Sequence, residues 1–199
     1  MSRQAQIQLL KRLLHYVDTR TTAMAESPWR HEASVYTCAE RFAEEQRVLF
    51  RKHPRVMGFA SEWAEPGSFS TDDYAGLPIL IVRGRDGKLR AFLNVCRHRG
   101  AKVAQGCGTA RLFSCPYHAW TYDLDGALVN APRSEHLENF DSKEICLDRV
   151  QIEVFCHLVF VNLDPEAAPF AQQAGNLPRQ RMSSPPGLEL PRFSTRRPQ

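Results

Sequence analysis

The apolar residues of the first twenty positions recur at helical spacing. Ile7, Leu10, Leu13, Leu14 and Val17 share one face, with basic residues between them. The pattern predicts an N-terminal amphipathic helix that lies on the domain. A mitochondrial transit helix is the alternative that has the same pattern.

A second helix is predicted from residue 37 to residue 50. Thr37-x-x-Glu40 is the capping-box signature of a helix N terminus, and Pro54 lies just past the predicted end. The apolar stripe on this helix is interpreted as core packing. It consists of Ala39, Phe42, Ala43, Leu49 and Phe50.

From residue 55 to residue 164 the pattern changes to short β-rich runs separated by turn signals. Asp86-Gly87 and Asp125-Gly126 predict two-residue hairpin turns of type I′. Many short strands with close turns are typical of an antiparallel sandwich or barrel. The predicted fold is therefore mainly β with a helical N-terminal extension. The predicted strands are Arg55–Ala60, Ile79–Val82, Leu89–Val95, Leu112–Cys115, Ala119–Leu124, Val150–Phe155 and Leu158–Leu163.

The composition changes abruptly after residue 175. Residues 176–199 contain five Pro, five Arg and one Glu without an apolar period, which predicts a disordered basic tail. The predicted domains are thus a helix and polar arm at 1–30, a β domain with its helical lead-in at 31–175, and the tail at 176–199. The β core of the second domain spans about 55–164.

The net charge of +4 resides in the tail, because the other 175 residues hold 21 basic and 21 acidic side chains. A neutral body predicts no nucleic-acid interface. No apolar run approaches the roughly 20 residues of a membrane helix, so no membrane association is predicted. Six cysteines without a secretory signal predict reduced thiols and a cytoplasmic protein.

Two short segments carry metal-binding chemistry. Cys96-Arg97-His98 and Cys115-Pro116-Tyr117-His118 each offer one thiol and one imidazole, and 16 residues separate His98 from Cys115. Turn-forming residues accompany both segments, so a tight turn can present both donors to a compact metal unit. Thiolates are soft, anionic ligands for one iron, and neutral imidazoles suit another. The four residues predict a binuclear iron–sulfur cluster.

A structural zinc site is the alternative that the same donor set allows. Zinc modules usually place two Cys in one knuckle and two His in the other, whereas here each segment holds one of each.

In an iron–sulfur cluster, two imidazole ligands in place of two cysteinates remove negative charge. This raises the reduction potential of the cluster into a range of about −150 to +300 mV.

The spacing of Cys96-x-His98 and Cys115-x-x-His118 resembles the Rieske [2Fe–2S] signature. The surroundings narrow the resemblance, since Ala-Phe-Leu-Asn-Val leads into Cys-Arg-His-Arg-Gly-Ala and Tyr-His-x-Trp-x-Tyr-Asp follows. From about Tyr36 to Phe170 the sequence resembles the N-terminal Rieske domain of the α subunit of Rieske non-haem iron oxygenases of the aromatic-ring-hydroxylating type.

This resemblance implies a ligand assignment and a function. Cys96 and Cys115 would bind the inner iron, and His98 and His118 the outer, solvent-facing iron. The domain would accept single electrons from a reductase or ferredoxin, for O₂-dependent hydroxylation or dihydroxylation of an organic, in many members aromatic, substrate. By family analogy the electrons would reach a mononuclear iron in the catalytic domain of a neighbouring subunit of a trimer.

In the family, that mononuclear iron is held by two His and one carboxylate. Only His136 and His157 follow His118, and they are 21 residues apart. We therefore expect the C-terminal catalytic domain and its mononuclear Fe(II) to be absent from this chain, which would be redox-active without oxygenating a substrate. One interpretation is an oxygenase truncated or read out of frame after about Pro178, and the other is a natural flexible tail.

A stand-alone Rieske-type ferredoxin-like electron carrier is the alternative function. Such carriers are much shorter and lack the helical lead-in.

The respiratory Rieske type has an extra Cys in each ligand loop and a hydroxyl donor where this chain has Trp120. We therefore expect missing hydrogen bonds to the cluster sulfurs and a potential low in the Rieske range.

Several neighbouring positions bear on the geometry of the loops. Ala119 stands where the family commonly has Gly, which is tolerable only if its φ is negative. His157 stands where Gly often precedes an apolar strand and has no predicted catalytic role. Trp120 and Tyr117 are expected to cover the loop against water, and Cys156 is expected in the core.

Overall fold

Two antiparallel sheets dominate the fold. The computed structural model of the protein describes residues 2–134 and 140–175, and this part contains β1 (Arg55–Phe59), β2 (Ser68–Tyr74), β3 (Leu77–Arg83), β4 (Leu89–Leu93), β5 (Cys107–Thr109), β6 (Phe113–Ser114), β7 (Thr121–Tyr122), β8 (Leu128–Asn130), β9 (Arg149–Phe155) and β10 (Leu158–Asn162). The larger sheet has the order β1-β10-β9-β4-β3-β2-β5, and the smaller sheet has the order β6-β7-β8. The predicted mainly β, antiparallel architecture is confirmed.

The helices are short except for the first. They are α1 (Arg3–Asp18), α2 (Ala39–Glu45) and α3 (Phe170–Gln173). Ser2 caps α1 by accepting the N–H of Ala5 at 3.2 Å, in the manner usual for an N-cap serine. None of the helices in the described part of the chain is long and apolar enough to cross a membrane.

Strand β3 is buried on both of its faces, which explains its nearly uninterrupted apolar sequence. Leu80 and Val82 point into a core shared with the smaller sheet, which also contains Phe113 and Tyr122. The alternate residues of β3 point into a second core on the opposite face of the larger sheet. The first of these cores is the one that contains the two predicted cysteine ligands.

Three of the strands, β2, β5 and β8, were not predicted. Strand β2 has the polar sequence Ser-Phe-Ser-Thr-Asp-Asp-Tyr and pairs with β3 across a turn at Ala75-Gly76, where both residues have positive φ. Strands β5 and β8 are three residues long, and β5 is exposed throughout while β8 buries only Leu128. Apolar alternation is too weak in such segments to predict a strand.

The prediction of type I′ turns at Asp86-Gly87 and Asp125-Gly126 is wrong. Type I′ requires positive φ at both residues, but only the glycines are left-handed, at +76° and +86°. Each hairpin instead has a loop that is one residue longer than a two-residue turn. In the first hairpin, the N–H of Gly84 closes this loop by donating to the carbonyl of Lys88 at 2.8 Å. Asp86 accepts the N–H of Lys88, a local bond that favours the wider turn.

The predicted capping box at Thr37 is also wrong. The N-cap of α2 is Cys38, whose sulfur accepts the N–H of Arg41 at 3.5 Å. Beyond α2 the chain continues as a π-helical turn, Gln46–Phe50. The wider turn breaks the α-helical spacing of the stripe, and Phe42 and Leu49 are 57% and 47% exposed rather than part of the core.

Residues 31–173 form one compact unit, and the described residues 2–30 and 174–175 belong to a second. In the second unit, the apolar residues of α1 are exposed, with Val17 at 72%. The boundaries of the three predicted domains stay predictions, as does the placement of α1 on the domain. The predicted tail, 176–199, and His136 lie outside the described residues.

Candidate metal centre

The first predicted ligand loop connects β4 to β5 and begins with a tight turn. Cys96 N–H donates to the carbonyl of Ala101 at 2.8 Å, and Gly100 N–H donates back to the carbonyl of Cys96 at 2.9 Å. Gly100 has a φ of +75°, which a glycine adopts at no steric cost. The turn buries Cys96 and leaves His98 exposed.

The second predicted loop connects β6 to β7 and repeats the same turn. Cys115 N–H donates to the carbonyl of Trp120 at 2.8 Å, and Ala119 N–H donates to the carbonyl of Cys115 at 3.0 Å. Ala119 is therefore the counterpart of Gly100, and its φ is +57°. An alanine was expected to be tolerable here only with a negative φ, and the φ of Ala119 is positive. This alanine therefore carries the steric cost of a left-handed conformation.

Two of the predicted ligands are buried in one core, and the other two have neighbouring rings. Cys96 and Cys115 are 3% and 4% exposed. The rings of His98 and His118 meet edge to face, with centroids 4.7 Å apart. Within residues 2–134 and 140–175, no group of three or more His, Cys, Asp or Glu side chains is placed to hold a single metal ion.

One ring nitrogen of this site is buried and makes no hydrogen bond to the described residues. Nδ1 of His118 is inaccessible to solvent and has no hydrogen-bond partner within the described residues. A buried ring nitrogen left without a hydrogen bond is costly, and coordination of a metal ion satisfies it. Two thiols and two imidazoles are the donor set of a Rieske-type cluster, so the residues present fit such a group.

Charge around His118 favours the neutral form that binds metals. Partial burial lowers the pKa of His118, and the neighbouring His98, Arg99 and Arg133 lower it further. A cation is disfavoured both in a desolvated site and beside other cations. A neutral imidazole is the form required of a metal ligand.

Aromatic side chains surround the imidazole pair. The buried indole of Trp120 stacks on His98 at 4.8 Å and 12°. Tyr117 lies beside His118, with ring centroids 3.8 Å apart, but is 57% exposed. A pocket of about 610 Å³ opens over these rings, with Phe140 also in its wall. Trp120 therefore shields the loop as expected, whereas Tyr117 forms part of the surface.

Tyr122 is a residue of the site that was not predicted from the sequence. Its hydroxyl is fully buried, lies 3.4 Å from the sulfur of Cys96 and accepts the N–H of Arg97 at 3.0 Å. Burial raises the pKa of Tyr122, and the hydrogen bond to Cys96 raises it further, so the phenol keeps its proton. The expectation of missing hydrogen bonds rested on Trp120 alone and stays a prediction, but it left out this contact between the Tyr122 hydroxyl and the sulfur of Cys96. The signal in the sequence was the tyrosine two positions after Trp120.

The charged residue within the first segment is paired. Arg97 forms an ion pair with Asp148 at 2.6 Å, and both side chains are about half exposed. Asp148 lies 51 residues further along the chain, so sequence spacing could not predict this contact.

Two expectations outside the ligand loops have different outcomes. Cys156 is exposed and not in the core, because it occupies the two-residue turn between β9 and β10. His157 occupies the second position of that turn with a φ of +65°. Such a conformation favours glycine, in keeping with the glycine expected there.

Known proteins that are similar to this chain identify its class of domain. The family described as "Rieske [2Fe-2S] domain" matches residues 53–141, a range that contains both loops. The chain is 36% identical over 181 residues to the carnitine monooxygenase oxygenase subunit of Escherichia coli (strain K12), covering 88% of this chain and 48% of that protein. It is 34% identical over 166 residues to the 2-aminobenzenesulfonate 2,3-dioxygenase subunit alpha of Alcaligenes sp, covering 81% and 39%.

Solved structures agree with these matches. The apo form of the quaternary ammonium Rieske monooxygenase CntA superposes with a TM-score of 0.71 at 36% identity, covering 76% of this chain and 44% of that chain. A naphthalene 1,2-dioxygenase mutant superposes with a TM-score of 0.67 at 30% identity, covering 72% and 33%.

The chain therefore contains a Rieske [2Fe–2S] domain. It belongs with the Rieske oxygenase α subunits, a family of mono- and dioxygenases and hence of oxidoreductases. The chain spans about half or less of the length of these relatives.

Proposed function

We propose that this chain is the electron-transfer part of a Rieske oxygenase terminal component. Cys96 and Cys115 would hold the inner iron of a [2Fe–2S] cluster, and His98 and His118 the outer iron. The observation that carries the proposal is the buried Nδ1 of His118, which has no hydrogen-bond partner among the described residues, beside His98 and with the two thiols of the same loops buried in one core. The bound cluster would supply reversible one-electron chemistry.

The surrounding residues support this role in distinct ways. The burial of both thiols keeps water from the sulfur ligands. Stacking on Trp120 orients the ring of His98. The hydroxyl of Tyr122 can donate to the Cys96 thiolate, which has no proton of its own to give. The exposed imidazole of His98 gives redox partners their closest approach to the site.

The partners follow from the relatives. We propose that a reductase or ferredoxin supplies single electrons, and that the catalytic domain of an oxygenase subunit, within a trimer, accepts them at a mononuclear iron. The overall reaction is O₂-dependent hydroxylation or dihydroxylation of an organic substrate. A quaternary ammonium compound is the first substrate class to test, because the carnitine monooxygenase match covers 88% of this chain.

Cluster content and spectroscopy test the proposal. The chain is purified without oxygen and reconstituted, and we expect about two iron and two sulfide ions per chain. Reduction with dithionite, or with NADH and a reductase, should produce the electron paramagnetic resonance signal of a reduced Rieske centre. Cys115→Ser should abolish that signal, whereas Cys107→Ser, at an exposed thiol in β5, should retain it.

Two outcomes contradict the proposal. A colourless chain that binds one zinc ion and gives no signal after reduction identifies a structural zinc module. Substrate-dependent O₂ consumption by this chain alone contradicts the assignment of oxygenation to another domain.

A further inference from the structure

Asn94 is a fully buried polar residue directly after β4, two residues before Cys96. Its Oδ1 accepts the N–H groups of Val103 and Ala104 at 2.9 and 3.1 Å, and its Nδ2 donates to the carbonyl of Ala104 at 2.8 Å. The backbone N–H of Asn94 is bonded to Pro78 of β3. One carboxamide therefore joins the start of the first ligand loop to its far side.

The topology explains why this loop needs a side chain to close it. The second ligand loop lies between β6 and β7, which pair directly through Ser114 and Thr121. The first loop lies between β4 and β5, which are separated in the larger sheet by β3 and β2. In the part of the chain that the structure describes, no strand ladder therefore joins the two ends of the first loop.

We propose that Asn94 is a positioning residue for the metal centre, which replaces the missing ladder and holds Cys96 and His98 in their ligand geometry. This inference rests on the proposed function. Burial of an unpaired carboxamide is unfavourable, and the side chain of Asn94 satisfies this requirement with bonds to the loop alone. An apolar side chain of similar size could fill the space but could not make the bonds.

The test compares Asn94→Ala with Asn162→Ala in the reconstituted full chain. Asn162 is also buried, at 5% exposure, but it lies on β10 and its Oδ1 accepts the N–H of Asp164 at 3.0 Å, outside both ligand loops. The readouts are the rate of iron loss to a chelator, the electron paramagnetic resonance spectrum per cluster, and amide hydrogen exchange at Val103 and Ala104.

We expect Asn94→Ala to release iron about a hundredfold faster, because the substitution removes all three hydrogen bonds that close the loop. Its spectrum should shift, and exchange at Val103 and Ala104 should accelerate. Asn162→Ala should lower thermal stability without changing the spectrum or the iron-loss rate.

An unchanged spectrum and iron-loss rate in Asn94→Ala would overturn the inference, as would equal changes in Asn162→Ala. If Asn94→Ala does not fold, Asn94→Asp decides, because it keeps an oxygen acceptor for the N–H groups of Val103 and Ala104 but places a second acceptor against the carbonyl of Ala104. It should give a shift of the same kind, and a wild-type spectrum would contradict the inference.

Failure of the proposed function gives a different result. In that case the wild-type chain itself takes up no [2Fe–2S] cluster. Amide exchange at Val103 and Ala104 in the metal-free chain then still decides whether Asn94 closes the loop.

Discussion

Replacement of Tyr122 by Phe removes a single hydroxyl from beside the proposed cluster. That hydroxyl lies 3.4 Å from the sulfur of Cys96, and it is the donor of this contact once Cys96 is a thiolate. A donor to a ligand sulfur stabilises negative charge, so it favours the reduced state, which carries one more electron. Loss of the donor should therefore lower the reduction potential.

The magnitude follows from the difference between the two redox states. A hydrogen bond to a charged group contributes about 1.5–3 kcal/mol, and we take about 1 kcal/mol of this as the gain on reduction, because 3.4 Å is a long contact. For one electron, a factor of ten, or about 1.4 kcal/mol, corresponds to about 59 mV. The expected decrease for Tyr122→Phe is therefore about 40 mV.

A potentiometric titration of the reconstituted chain, followed by electron paramagnetic resonance, measures this shift. Tyr117→Phe is the matched control, because Tyr117 also lies in the site but is 57% exposed, and its ring, which the substitution keeps, lies beside that of His118. It should leave the potential unchanged. A potential for Tyr122→Phe that stays constant or rises, at normal cluster content, would refute the reasoning.

Three further predictions concern stability, each measured by urea unfolding of the full chain. Ala119→Gly should stabilise by about 0.5–1 kcal/mol, since release of a left-handed alanine, about 1–2 kcal/mol, exceeds the entropic cost of glycine, about 0.5–1 kcal/mol; a loss of stability would contradict the strain at φ +57°. Gly126→Ala should destabilise more than Gly87→Ala by about 1–3 kcal/mol. Both glycines have positive φ, but a Cβ on Gly126 would lie 2.5 Å from the ring of Phe92 and one on Gly87 would meet nothing within 4 Å; equal losses would contradict the clash. The hydrogen bonds and ion pair with Arg90 lower the pKa of Asp86. The stability that this carboxylate contributes is therefore present above the ordinary pKa of about 3.9, and it is lost progressively as the pH falls below that value. The deficit of Asp86→Asn should accordingly shrink towards pH 2, and a constant deficit would exclude the charge as its cause.

The donor set of the metal centre could be predicted from sequence because its geometry is local. Each ligand loop places its Cys and His two or three residues apart, and the turn that presents them closes within five residues of the Cys, from Cys96 to Ala101 and from Cys115 to Trp120. The apolar run Ile79–Val82 likewise predicted a strand, and both faces of that strand, β3, lie in cores.

Local turn conformations were predicted less well. Asp-Gly pairs favour a type I′ turn when two residues connect the strands. In the first hairpin, however, more than two residues connect the paired ends of β3 and β4. The left-handed Ala119 shows the same dependence, because the closed turn between β6 and β7 imposes its φ whatever the residue. The stripe on residues 39–50 predicted a buried face that a π-helical turn breaks.

The sequence alone thus determined the class of domain, its mainly β architecture and the candidate ligands, all of which depend on short-range spacing and apolar alternation. Tertiary structure alone decided which polar side chains support those ligands. Tyr122 reaches Cys96 across 26 residues, and Asn94 meets Ala104 across the loop. Both contacts depend on strand order and register, which bring distant residues together, and no periodicity in the chain records which pairs will meet.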